Sequence, residues 1–137
     1  APTLEPTQVV WYRPGFGPSD LARGRIVALS SKELGAAIVP CRVVALPGET
    51  VELREGTLVI NGVRVPEPYV GAGRAEQDYS VSHQPVLVPQ GHVWLLGDFR
   101  DMSKDSRHIG AVPLGSVLGS ATHWHLRGQQ GQPRPLY

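Results

Sequence analysis

The sequence predicts a mainly β fold, a coiled and partly closed antiparallel sheet system. Three observations carry this. Helical periodicity is weak throughout, apolar residues alternate or fall in short β-branched runs, and 16 glycines with 13 prolines punctuate 137 residues. At 41% hydrophobic residues and a formal charge of +1, the composition is that of a folded domain and not of a disordered segment. The length supports one continuous core. We place the domain at residues 1–127 and a Gln-, Gly- and Pro-rich tail, expected to fray, at residues 128–137.

Taken in order, Val9 to Tyr12 reads as a strand closed by Pro14-Gly15, and Arg25 to Leu29 as a second strand after the polar Asp20 to Gly24. Ser30 to Gly35 reads as a loop. Ile38 to Leu46 is a long extended stretch ending in the turn Pro47-Gly48-Glu49. The clearest signal is a meander. Thr50 to Arg54 alternates inward Val51 and Leu53 with outward Glu52 and Arg54, Glu55-Gly56 turns the chain, and Leu58 to Ile60 returns. Asn61-Gly62 then reverses it into Val63 to Val65, since this dipeptide accepts the positive φ angles of a type I′ turn. Pro66 to Arg74 reads as irregular, Tyr79 to Val88 as a strand pair or one long strand, and Val93 to Leu96 and Ser116 to Leu126 as the closing strands.

Thirteen basic residues balance 12 acidic ones with no basic stripe, so nucleic acid is not a partner. The single cysteine, Cys41, excludes an internal disulfide and any multi-cysteine metal site. On a strand, His123 and His125 would share one face, but with no third ligand nearby we assign neither metal nor cofactor. No stretch approaches the ~20 apolar residues that span a bilayer. The chain opens on Ala1-Pro2-Thr3-Leu4 without an initiator Met, and is expected to be a piece of a longer protein.

One segment stands apart chemically. Gly97 to Arg107, following the apolar Val93-Trp94-Leu95-Leu96, holds three carboxylates, two arginines, a lysine and two serines. Opposed charges held close lock a loop into one shape, and hydroxyls within it can orient a reacting group. Read alone, it is more readily a solvated, turn-rich loop.

Three segments together resolve that ambiguity. Ala1-Pro2-Thr3-Leu4 resembles the end of Ser-Met-x-Pro-Thr-Leu. Arg42-Val43-Val44-Ala45-Leu46-Pro47-Gly48-Glu49 resembles Lys-Arg-Val-x-Gly-Leu-Pro-Gly-Asp without its first residue, and Gly97 to Arg107 resembles Gly-Asp-Asn-Arg-Asp-Asn-Ser-x-Asp-Ser-Arg. In this order and spacing they resemble the boxes of bacterial type I signal peptidases. Val59-Ile60-Asn61-Gly62, Glu67-Pro68-Tyr69-Val70 and Val88-Pro89-Gln90-Gly91 resemble connecting segments of that family, and the likeness covers roughly residues 1–122.

The resemblance implies an endopeptidase that removes signal peptides from exported preproteins after small-x-small motifs. It would use a serine nucleophile and a lysine general base, with no metal or other cofactor. A lysine of solution pKa ~10.4 serves as a base at neutral pH only when desolvated, and Val43, Val44 and Leu46 offer an apolar flank. The family pattern makes Ser103 the residue that orients the base, Asp98 and Arg42 an ion pair, and Asp105 with Arg107 a second brace. It also implies an N-terminal membrane anchor on the parent, the cytoplasmic membrane as location, and a domain facing the extracytoplasmic side.

Two departures matter. The family nucleophile falls two residues before Ala1, ahead of Pro2, Thr3 and Leu4, and Cys41 stands on the lysine position. A thiol of pKa ~8.5 does not replace a desolvated amine. The 137 residues alone are therefore expected to be inactive. Three readings of Cys41 stay open: a catalytically silent homologue acting as a peptide- or partner-binding module, an engineered cysteine, and an unusual nucleophile or base. Lys32 is a remote source of a displaced amine. Phe99 and Met102 replace polar asparagines of the pattern, and His108 replaces an aromatic. An autoproteolytic repressor of the Ser-Lys type is a weaker alternative, lacking this form of the charged box. Trp94 reads as core. For Trp11 core packing is the ordinary role, with contact to the bilayer interface as the alternative.

Overall fold

The computed structural model describes residues 8–30, 38–70, 82–98, 100, 105–126 and 132–135. Its strands are β1 (Gln8–Pro14), β2 (Ile26–Ser30), β3 (Ile38–Ala45), β4 (Thr50–Arg54), β5 (Thr57–Ile60), β6 (Val63–Val65), β7 (His83–Leu87), β8 (His92–Leu96), β9 (Val112–Pro113), β10 (Val117–Leu126) and β11 (Arg134–Pro135). A short α-helix, α1 (Ser106–Ile109), lies between β8 and β9. The strands form two sheets in which every paired neighbour is antiparallel. The larger runs β1-β10-β2-β3-β8-β9, with β11 added to β10, and the smaller runs β6-β5-β4-β7.

The meander forms where alternation and turn chemistry place it. Val51 and Leu53 are buried and Arg54 is exposed. Both two-residue turns have positive φ at both positions: 49° and 82° at Glu55-Gly56, and 52° and 81° at Asn61-Gly62. That is the twist a right-handed hairpin needs. The Asn61 side chain adds a bond of its own, its Oδ1 accepting from the Thr50 amide at 2.8 Å.

β3 and β8 lie between two apolar cores, which explains why their apolar runs hardly alternate. Cys41 and Val43 of β3 pack with Val93 and Leu95 of β8, and with Val27 and Leu29, in the first core. Val44 and Ala45 pack with Trp94 and Leu96, and with Val51, Leu53 and Leu58 of the small sheet, in the second. Strict alternation would send Ala45 to the first core. A register shift between Val43 and Ala45 opposite β8 turns it to the second. The sheets also touch where the His83 ring lies 5.5 Å from that of Trp94.

The structure differs from expectation at four places. Arg134 and Pro135, placed in a fraying tail, pair with β10. Helix α1, which begins inside the charged segment, and the short β9 arise where no element was expected. Trp11, for which core packing is the ordinary role, is 51% exposed, because it alternates with Val10, which takes the face packed against Ile26 and Ala121. Trp94 is buried as expected. The loop at Ser30 to Gly35 and the start of the Tyr79 stretch lie outside the described residues, apart from Ser30, which ends β2. Among the described residues no helix is long and apolar enough to cross a membrane.

Candidate active site

β3 pairs with β8 through Arg42↔Leu96 and Val43↔Leu95, so the chain leaving β8 at Gly97 starts beside Arg42. Three arginine–carboxylate pairs then hold this segment. In the first, Arg42 Nε donates to Asp98 Oδ1 at 2.9 Å and Nη2 to Oδ2 at 2.7 Å. Nη1 donates to the Gly24 carbonyl at 3.1 Å. With side chains 2% and 0% exposed, this is a bidentate pair removed from water, whose desolvation is met by hydrogen bonds on both partners.

In the second, Arg100 donates to both oxygens of Glu67 at 3.1 and 2.5 Å, and its Nε donates to the Gly97 carbonyl at 2.7 Å. The Tyr69 hydroxyl donates to Glu67 at 2.9 Å. The Tyr69 ring lies against the Arg42 guanidinium, whose carbon is 3.9 Å from the ring centroid. Burial first, and then the Glu67 carboxylate, push the Tyr69 phenol above its ordinary range.

In the third, Asp105 caps α1. Its carboxylate accepts from the Arg107 amide at 3.1 Å, from Arg107 Nε at 2.9 Å and Nη2 at 2.8 Å, and from the Gly97 amide at 2.9 Å. Ser106 Oγ accepts from the Leu95 amide at 2.9 Å, tying the helix back to β8. Gly97 is thus gripped at its amide by Asp105 and at its carbonyl by Arg100.

Cys41 is 1% exposed. Burial first, and then the Asp105 and Asp98 carboxylates, push its thiol far above the ordinary value, with Arg107 opposing. Such a thiol stays protonated at neutral pH and offers neither a thiolate nor a proton acceptor. The structure therefore brings Cys41, Arg42, Asp98, Asp105 and Arg107 into one neighbourhood. Ser103, Lys32 and the Pro2-Thr3-Leu4 segment lie outside the described residues.

Sequence reasoning gave no role to Arg100, Glu67, Tyr69 or Ser106. Glu67 and Arg100 are 33 positions apart, and pairing over that distance leaves no local trace. The signal that could have found them is Glu67-Pro68-Tyr69-Val70, noted as a connecting segment only.

Comparison with known proteins gives this arrangement its class and then its family. The family described as signal peptidase, peptidase S26, matches residues 1–125, which makes this a peptidase-family domain. A signal peptidase I of Bacillus licheniformis is 35% identical over 108 residues, covering 74% of this chain and 58% of its own length. A "Probable signal peptidase I-2" of Synechocystis is 35% identical over 130 residues, covering 87% and 57%. The crystal structure of a signal peptidase I from Enterococcus faecalis matches with a TM-score of 0.60 at 37% identity, covering 73% of this chain and 95% of that one. The chain belongs to the type I signal peptidase family, and its mainly β fold is that family's fold. It spans 58% and 57% of the length of the two curated relatives given above.

Proposed function

We propose that the parent protein is a membrane-anchored serine endopeptidase that cleaves signal peptides from exported preproteins after small-x-small motifs. It acts on the extracytoplasmic side of the cytoplasmic membrane. The observation that supports this best is the water-excluded Arg42–Asp98 pair. It ties the strand bearing residue 41 to the segment that runs through Ser103, and Ser103 lies in sequence between the anchored Arg100 and Asp105. On this reading residue 41 is the base position and Ser103 orients the base. Arg42, Asp98, Asp105 and Arg107 are the scaffold, and Pro2, Thr3 and Leu4 follow the nucleophile.

The surroundings of residue 41 suit an amine base. Val27, Leu29, Val43 and Leu95 crowd it, and burial, the largest influence on the thiol, lowers the pKa of a lysine, with the Asp105 and Asp98 carboxylates opposing. A neutral amine there can take the proton of a serine hydroxyl as it attacks the peptide carbonyl. With Cys41 in place that acceptor is lacking, and on this reading residues 1–137 alone do not cleave.

The test uses the full-length protein and a preprotein whose signal ends in Ala-x-Ala. Cleavage by the Cys41→Lys variant is expected; no cleavage by either the Cys41 protein or the Cys41→Lys variant defeats the enzyme reading. The protonated, buried Cys41 favours a second reading, a silent homologue that binds extended peptides without turnover. Saturable binding of an Ala-x-Ala peptide, with no cleavage by either protein, selects it. The half-exposed Trp11 supports contact with the membrane surface. Binding to anionic vesicles should fall in Trp11→Ala, and equal binding by both forms removes that role.

A further inference from the structure

We propose that Tyr69 and Glu67 are positioning residues, which carry a clamp from the small sheet onto the strand bearing residue 41. The contacts form a closed circuit. Arg42 pairs with Asp98, and Asp98 follows Gly97, whose carbonyl is held by Arg100. Arg100 pairs with Glu67, Glu67 accepts from the Tyr69 hydroxyl, and the Tyr69 ring closes on Arg42.

The circuit joins three segments distant in sequence: β3, the Gly97–Arg100 stretch, and the 66–70 loop that follows β6 of the other sheet. Each member has a distinct duty. The edges of the Arg42 guanidinium donate to Asp98 and Gly24, and a face is left for stacking, which Tyr69 covers. The Tyr69 hydroxyl is not left to water but anchored on a carboxylate that Arg100 already fixes. A closed circuit of charge-assisted bonds resists shear better than the same bonds in an open chain, because no segment can move without breaking one. Tyr69 and Glu67 thereby set how β3 lies against the Gly97 segment, and with it the geometry at residue 41.

Cys41 makes this measurable, since it is the single cysteine of the 137 residues. Its rate of alkylation by iodoacetamide under native conditions reads local opening at one buried position, and urea unfolding of the same protein reads the global equilibrium. Tyr69→Leu removes ring and hydroxyl. It should raise the native alkylation rate about 30-fold beyond what its global unfolding constant accounts for. Tyr69→Phe keeps the ring and loses the bond to Glu67, and should fall between, at about 5- to 10-fold. Glu67→Gln weakens the grip on a buried arginine, so if it fails to fold the two Tyr69 variants decide. Alkylation in Tyr69→Leu that is unchanged, or that tracks global unfolding, overturns the proposal.

The catalytic consequence rests on the reading of residue 41 as the base position. In the full-length Cys41→Lys protein, Tyr69→Leu should lower kcat about 10-fold or more with KM within about twofold. An unchanged kcat overturns that consequence. An inert Cys41→Lys protein sinks the peptidase reading instead, and the alkylation result still decides the positioning role.

Discussion

Asp98→Asn tests the clamp most sharply. The substitution keeps size but deletes the charge, and replaces one of the two accepting oxygens with an NH2 donor, facing a guanidinium that is itself 2% exposed. Arg42 then remains ionised in the interior without its bidentate counter-charge. Breaking a buried pair at one end costs ~3–5 kcal/mol, several times what an exposed pair is worth. For a domain of this size that corresponds to a fall in Tm of roughly 10–20 °C. The assay is urea unfolding of wild type, Asp98→Asn, Arg42→Met and the double variant, read as a double-mutant cycle. The double variant should be more stable than the sum of the two losses implies by ~2 kcal/mol or more, because removing both charges leaves neither orphaned. A loss below ~1 kcal/mol for Asp98→Asn, or strict additivity, would refute a water-excluded clamp.

Further outcomes follow from groups nearby. The unfolded chain releases the Cys41 proton as pH passes the ordinary thiol pKa, while burial keeps it on the folded chain. Stability is therefore fully present below that pH and is lost above it by up to ~1.4 kcal/mol per pH unit, relative to Cys41→Ala; parallel pH profiles of the two proteins count against it. Burial of His83 against Trp94, helped by Arg107 and opposed by the Gln84 carbonyl, Asp105 and Glu52, holds the imidazole below its ordinary 6.5. The unfolded chain thus takes up the proton first, and stability present above pH 6.5 is lost as pH falls through the folded value; His83→Leu should flatten this acid slope in urea titrations. A Cβ on Gly119 would lie 1.9 Å from the Arg13 carbonyl oxygen of β1. Gly119→Ala should therefore cost ~2–3 kcal/mol by forcing β1 off β10, and a change within ~0.5 kcal/mol in thermal melts would show that the edge yields freely.

Much of the scaffold was legible because its signals are local. Val51 and Leu53 alternate with polar neighbours, and Asn61-Gly62 admits one turn geometry, so the meander needs no knowledge of the rest of the chain. Helix α1 escaped notice because four residues cannot show a 3.6-residue period. Its cap was nonetheless visible, since Asp105 precedes Ser106 as an N-cap should. The Arg42–Asp98 pair came from a family pattern and not from spacing, because 56 positions separate the two. Arg100 was in plain view within the charged box, but its partner Glu67 belongs to a loop read as irregular. The exposure of Trp11 depends on which face of β1 is covered, which tertiary packing decides and composition does not.

The alternation of β3 bears on how such a domain can change chemistry without losing its shape. Cys41 faces Val27 and the first core, whereas its neighbour Arg42 turns to the opposite side and engages Asp98 and Tyr69. Residue 41 can thus be exchanged among side chains of tolerable volume while the ionic framework one peptide away keeps its bonds. The side chain of residue 41 and the ionic framework reside on opposite faces of a single strand, and that division lets one be altered while the enclosure around it endures.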